Sequence, residues 1–320
     1  MKLCIVVPCY NEEEVLNETA SRLKLKYEAL ILNGQISADS RIVFVDDGSK
    51  DKTWEIISAL HEKDSCFEGI KLSRNRGHQN ALLAGLMTVK DSFDAVISMD
   101  ADLQDDINAV DKMVESYKKG NDIVYGVRSS RKKDSVFKRS TAHLFYKVMK
   151  WMGAETVYNH ADYRLMSRRA LDALQDFEEV NLFLRGMIPL IGFKSDTVYY
   201  ERGERFAGES KYPFRKMLHF AFEGITSLSI RPIDLIIRLG LLLSVFGIAI
   251  LIYALVQHFL GQTTAGWTSL MASIWVLGGL QLLAIGVIGK YIGKIYLETK
   301  HRPRYIIEEN TFTNENEQPR

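Results

Sequence analysis

The stretch Ala95-Val96-Ile97-Ser98-Met99-Asp100-Ala101-Asp102-Leu103-Gln104-Asp105-Asp106 decides how this chain reads. Its first five residues form a short, mostly apolar run with the length of a buried β-strand. Asp100 and Asp102 follow at alternate positions, on one side of an extended chain. Two carboxylates converging at a strand end repel each other unless a cation lies between them. Hard divalent ions with oxygen ligands, Mg2+ or Mn2+ carried on a diphosphate, suit such a pair. A turn or helix cap is the competing reading, since Asp is common in both.

Outward from this stretch, short apolar runs alternate with helical ones. Leu3–Val7, Arg41–Val45, Gly69–Leu72 and Ile123–Gly126 read as further strands. Glu12–Leu32, Thr53–Lys63, Gln79–Lys90 and Ala109–Lys119 read as helices. This alternation predicts an α/β domain with a mostly parallel sheet and helices on both faces. Ligands of such sheets sit beyond the carboxyl ends of the strands. Polar residues stand there: Asn11, then Asp46-Asp47-Gly48-Ser49, then Arg74-Asn75-Arg76-Gly77, then Asp100-Ala101-Asp102. Asp47 reads either as a turn residue or as a carboxylate for a nucleobase N–H or a ribose hydroxyl. Tyr10 reads either as core or as a ring packed on a base.

The 320 residues carry a net charge of +1, which argues against nucleic-acid binding through a broad basic surface. Cys4, Cys9 and Cys66 are an odd set without metal-type spacing and read as buried, reduced thiols. No Gly-x-Gly-x-x-Gly follows the first strand. Gly203 to Ser210 has the spacing of a P-loop, but Glu209 stands where its lysine belongs. No His-Glu-x-x-His or paired Cys-x-x-Cys exists, which argues against zinc. The first apolar run stops at Pro8 and meets Glu12, Glu13 and Glu14, so it reads as a strand and not as a signal peptide.

The 51 residues from Leu239 to Gly289 contain no Asp, Glu, Lys or Arg. A membrane-crossing helix needs about 20 apolar residues. Two spans are expected, about Leu235–Leu260 and Leu270–Tyr291, joined by an uncharged turn. Arg231 and Arg238 precede the first, and Lys290, Lys294, Lys300, Arg302 and Arg304 accompany or follow the second. The positive-inside rule then places both termini in the cytosol, on a multi-pass protein of the plasma membrane. Before the spans, Phe214, Leu218, Phe222, Ile225 and Leu228 recur at helical spacing, as in a helix lying in the membrane interface or a core helix. The expected organisation is a catalytic domain over 1–212, an interfacial helix over 213–232, two spans over 233–293 and a polar tail over 294–320. The tail is expected to be disordered from Glu308, and a cut near Ile230 to leave a nucleotide-binding domain.

Taken together, the motifs resemble the inverting family-two glycosyltransferases of GT-A fold. The residues that carry this are Val7-Pro8-Cys9-Tyr10-Asn11-Glu12, Val45-Asp46-Asp47-Gly48-Ser49, Asn75-Arg76-Gly77-His78-Gln79 and Met99 to Asp105. Ala161-Asp162-Tyr163-Arg164-Leu165-Met166-Ser167 and Arg202 to Tyr212 narrow the resemblance to polyprenyl-phosphate hexose transferases, including bactoprenol glucosyltransferases and dolichyl-phosphate mannose synthases. Asp105-Asp106 departs from the Asp-Pro that the family has after its acidic motif.

The resemblance implies a UDP-sugar donor, glucose first, and a polyprenyl phosphate acceptor at a lipid bilayer, with a homotetramer as one assembly. It implies that Pro8, Tyr10, Asn11, Glu12, Asp47, Gly77, Gln79, Asp100, Ala101, Asp102, Arg202, Arg205 and Lys211 face the nucleotide-sugar. Asp102 and Gln104 would hold Mg2+ or Mn2+, Asp162 would be the base, and Arg128 and Arg139 would hold the acceptor phosphate. An Asp162 paired with Arg164 or Arg168 for structural reasons is the alternative. UDP-N-acetylglucosamine or GDP-mannose as donor, or a degenerate nucleotide-sugar-binding scaffold, are the competing functions. The Gln-x-x-Arg-Trp signature of the processive relatives is absent.

Overall fold

The computed structural model describes residues 1–129, 160–180, 182–201, 203, 231–260 and 266–312. Five strands lie close to where the sequence puts them: β1 Leu3–Cys9, β2 Arg41–Asp46, β3 Phe67–Leu72, β4 Ala95–Ser98 and β5 Ile123–Arg128. So do four helices: α1 Leu16–Leu32, α2 Thr53–Lys63, α3 His78–Val89 and α4 Ala109–Lys118. Three strands were not expected. They are β6 His160–Ser167, β7 Ser195–Tyr200 and β8 Ile307–Asn310. Helices α5 Arg168–Gln175 and α6 Leu184–Leu190 lie between β6 and β7.

The eight strands form one sheet in the order β7-β5-β6-β4-β1-β2-β3-β8. β1 pairs in parallel with β2 and β4, β2 with β3, and β5 with β7. β6 is antiparallel to both β4 and β5, and β8 is antiparallel to β3. The sheet is therefore mixed. Its faces are covered as α/β patterning requires. Leu23 and Leu30 of α1 and Met113 of α4 pack on one side, while Leu83 of α3, Leu171 of α5 and Ile188 of α6 pack on the other. A Cβ on Gly85 of α3 would stand 2.5 Å from Val6 and 2.7 Å from Val45, so glycine sets how closely that helix approaches the sheet.

The C-terminal region differs most from expectation. Helix α7 runs over Arg231–Phe259 and α8 over Trp267–Glu298, seven residues past the expected end of the second span. Large apolar side chains such as Leu241, Phe246, Leu282 and Ile285 stand exposed along both. Among the described residues, one segment, Val276–Glu298, is long and apolar enough to cross a membrane, with mean hydropathy 1.6. The tail is not disordered from Glu308. Residues 307–310 pair with β3 because Ile307 and its neighbours Tyr305 and Phe312 find an apolar seat there. A cut near Ile230 would thus remove a strand of the sheet as well as α7 and α8. The proposed interfacial helix over 213–232 lies outside the described residues up to Ile230.

Candidate active site

The carboxyl ends of β1 and β2 meet in one hydrogen-bonded corner. Asn11 adopts φ +53°, and its side-chain oxygen accepts Lys50 N–H at 2.9 Å while its own N–H donates to Ser49 Oγ at 2.9 Å. Glu12 N–H donates to Thr53 Oγ1 at 2.9 Å, and α1 starts at Leu16, whose N–H donates to Glu12 O at 3.0 Å. Pro8 lies inside the sheet opposite Val45, whereas Tyr10 is 41% exposed at the rim. Asp47 is 2% exposed, and both its oxygens already accept backbone N–H groups, from Arg76 at 2.6 Å and Gly77 at 2.8 Å. Burial pushes its carboxyl up while those two amides pull it down, and burial prevails. Gly48 adopts φ +64°, and a Cβ there would stand 2.6 Å from the Arg74 carbonyl carbon. The loop of residues 73–77 is therefore seated directly on the β2 corner. Gln79, expected to face the donor, accepts Leu184 N–H on its side-chain oxygen at 2.9 Å, at the start of α6.

β4 ends at Ser98, so Asp100 and Asp102 lie on a turn and not on an extended strand. Leu103 takes φ +57°, in the left-handed region that a non-glycine residue occupies at a cost. Neighbouring elements hold this turn. Thr19 Oγ1 donates to Ala101 O at 2.8 Å, Gly203 N–H to Gln104 O at 2.9 Å, and Tyr163 OH to Asp106 O at 3.0 Å. Asp102 accepts Gln104 N–H at 3.1 Å, and both residues are partly exposed. Asp105 is buried and accepts the Tyr200 hydroxyl and, at 3.4 Å, Arg128 Nη2. Arg128, expected on the acceptor phosphate, thus reaches the turn beside the acidic motif.

β6 runs antiparallel to β4 with Ser98 opposite Arg164, which brings Asp162 alongside Asp100. Asp162 is 5% exposed and accepts Arg185 Nε at 3.2 Å, Arg185 Nη2 at 2.9 Å and Arg164 Nη2. His78, the first residue of α3, lies 3.7 Å from Asp162 and 3.4 Å from Asp100. Burial alone would raise the Asp162 carboxyl, but Arg185, His78 and Arg164 hold it well below the usual range. Burial drives Asp100 up to about 6 against the pull of His78, and the neighbouring carboxylates Asp105, Asp162 and Asp102 push the same way. The two neighbouring carboxyls are thus set apart, Asp162 held well below the usual range and Asp100 raised to about 6. Arg168, the alternative partner for Asp162, pairs with Asp91 instead.

His78, Arg185 and Tyr200 were not assigned roles from the sequence. A lone arginine in the apolar run Phe183-Leu184-Arg185-Gly186-Met187 was the available signal for one of them. Arg139, Arg202, Arg205 and Lys211 lie outside the described residues. Among the described residues, no group of three or more His, Cys, Asp or Glu is arranged to hold a metal ion by itself. Asp102 and Gln104 offer a carboxylate and an amide at an accessible turn, which fits an ion that draws its remaining ligands from phosphate and water.

The family model described as glycosyl transferase family 2 matches residues 4–175. An uncharacterized glycosyltransferase, YkoT of Bacillus subtilis (strain 168), is 53% identical over 306 residues, covering 96% of this chain and 91% of its own. The bactoprenol glucosyl transferase of Shigella phage SfV is 40% identical over 312 residues, covering 96% and 98%. Among solved structures, glucosyl-3-phosphoglycerate synthase from Mycobacterium tuberculosis superposes with a TM-score of 0.46 at 17% identity, over 71% of this chain and 77% of its own.

Proposed function

Because this chain belongs to glycosyl transferase family 2, we propose that it moves a hexose, glucose first, from a UDP-sugar to a polyprenyl phosphate at the cytosolic membrane face. The observation that carries this reading is the convergence of the Asp47 corner, the Asp100–Gln104 turn and the Asp162 cluster at one end of the sheet. The lipid acceptor draws support from the bactoprenol glucosyl transferase that aligns over nearly the whole chain, and from the apolar segment Val276–Glu298. In this reading α7 and α8 both cross the bilayer and leave both termini in the cytosol.

The nucleotide lies against Tyr10, Asn11, Glu12 and the Asp47 corner, with Pro8, Gly77 and Ala101 shaping the backbone around it. Gln79 acts indirectly, through α6. Asp102 and Gln104 would hold Mg2+ or Mn2+, which when bound neutralises charge on the leaving diphosphate. Arg202, Arg205 and Lys211 supply further positive charge there, and Arg139 meets the acceptor phosphate. Arg128 supports the metal turn through Asp105. A phosphate monoester has its second pKa near 6, so the attacking oxygen is already largely ionised at neutral pH. A carboxylate held as low as Asp162 is a weak base. We therefore assign Asp162 to holding Arg185 and His78 in place, with proton removal a minor need.

The test is turnover by the purified full chain with undecaprenyl phosphate, Mg2+ and a panel of UDP-glucose, UDP-N-acetylglucosamine, UDP-galactose and GDP-mannose. Transfer from UDP-glucose above the others is expected. Preference for another sugar would correct the donor. Binding of UDP without transfer from any donor would favour a nucleotide-sugar-binding scaffold.

A further inference from the structure

After α8 the chain returns to the catalytic sheet. Glu298 accepts Val180 N–H with both carboxylate oxygens, at 2.8 and 2.9 Å. Arg304 Nη2 donates to Phe177 O at 2.6 Å. Tyr305, Ile307 and Phe312 pack against the apolar cluster around α3, and the Phe312 ring lies 5.9 Å from that of Phe93. β8 then covers the edge of β3, which would otherwise expose a row of unpaired backbone groups. Thr311 N–H donates to Gly69 O at 2.9 Å, and Lys71 Nζ lies 2.6 Å from Glu309 and 3.5 Å from Glu308.

The same segment grips the loop that seats Asp47. Ser73 N–H donates to Ile306 O at 3.0 Å, and Arg76 Nη2 reaches Pro303 O at 3.5 Å. The backbone N–H groups of Arg76 and Gly77 are the two donors on the Asp47 carboxylate. Loop 73–77 is thus clamped from two sides, by Asp47 from the sheet and by residues 303–306 from the returning chain. We propose that residues 303–312 are a positioning element for the donor loop 73–77, making nucleotide affinity depend on a segment that follows the membrane helices in sequence. The proposal rests on the reading that the Asp47 corner receives the nucleotide. Linkage adds a consequence: if the strap favours the nucleotide-binding loop, bound nucleotide must in turn stabilise the strap.

Hydrogen exchange read by mass spectrometry tests this on the full chain in nanodiscs and on a chain ending at Arg302, each with and without UDP and Mg2+. Without nucleotide, the shortened chain is expected to exchange faster at Ser73, Arg76 and Gly77 while β1 and β4 keep their protection. Its UDP affinity should fall about fivefold or more, the usual size of such coupling, and the donor KM should rise while the acceptor KM stays within about twofold. A peptide of residues 303–312 added in trans should restore both. In the full chain, UDP should slow exchange across β8. Unchanged exchange at 73–77 in the shortened chain overturns the proposal. If β1 and β4 also lose protection there, the full chain decides, and β8 exchange indifferent to UDP overturns it. If the full chain binds no UDP, yet the shortened chain loses loop protection, the nucleotide reading falls and the strap's hold on the loop stands.

Discussion

Arg185 meets Asp162 side-on, with Nε 3.2 Å from one carboxylate oxygen and Nη2 2.9 Å from the other. The pair joins α6 to β6 and leaves Asp162 ionised between two guanidinium groups. Charge-assisted hydrogen bonds of this kind are worth about 1.5–3 kcal/mol, or about 10- to 150-fold in a rate or affinity. Arg185→Ala should therefore lower kcat by one to two orders of magnitude, and Arg185→Lys should recover part of it. Steady-state kinetics beside a melting curve checks this. Full activity in a folded Arg185→Ala chain would remove the cluster from the reaction.

Asp100 gives a pH signature. Burial raises its carboxyl to about 6 from an ordinary 3.8. The folded chain binds that proton more tightly than the unfolded chain does. Its favourable contribution is present below the unfolded value and lost as pH rises through about 6. Above that, the ionised group costs stability. Asp100→Asn should raise Tm at pH 7.5 and change it little at pH 4, measured in EDTA, while transfer is lost. A lower Tm at pH 7.5 would contradict the assignment.

Asp102→Asn should weaken Mg2+-dependent UDP binding and remove most activity while leaving the fold intact, because the side chain lies at a partly exposed turn. Calorimetry with and without Mg2+ is the measurement. A folded variant that keeps its metal dependence would exclude Asp102 as a ligand.

Tyr200 supports that turn through Asp105. Its hydroxyl donates to buried Asp105, and its ring meets Tyr163 edge-on with centroids 5.3 Å apart. Tyr200→Phe keeps the ring and removes one partner of a buried carboxylate, a loss of about 1–3 kcal/mol. Melting should drop by about 2–4 °C per kcal/mol, and more Mg2+ should be needed for half-maximal UDP binding. A normal metal requirement alongside the lower Tm would show that the hydroxyl serves stability alone.

Much of this was legible in the residues. The β1–β4 core and its helices follow from apolar runs and their period, and Asp47 and Asp100 from their places at strand ends. β6 escaped because Asp162 and Arg164 interrupt its apolar pattern, although each compensates the other in the fold. β8 escaped because only Ile307 in Ile307-Glu308-Glu309-Asn310 is apolar, and its pairing with β3 spans more than 230 residues of chain. His78 was quoted within a motif but carried no sign that Asp100 and Asp162 would flank it. Such contacts depend on strand order, which short-range patterning does not encode.

The lipid product reports directly on whether this chain transfers a hexose with inversion. Purified full chain, UDP-glucose, Mg2+ and undecaprenyl phosphate should yield the lipid phosphate enlarged by one hexosyl residue, with its anomeric configuration inverted to β by nuclear magnetic resonance. A retained α configuration, or glucose released to water with the lipid phosphate unchanged, would contradict the account.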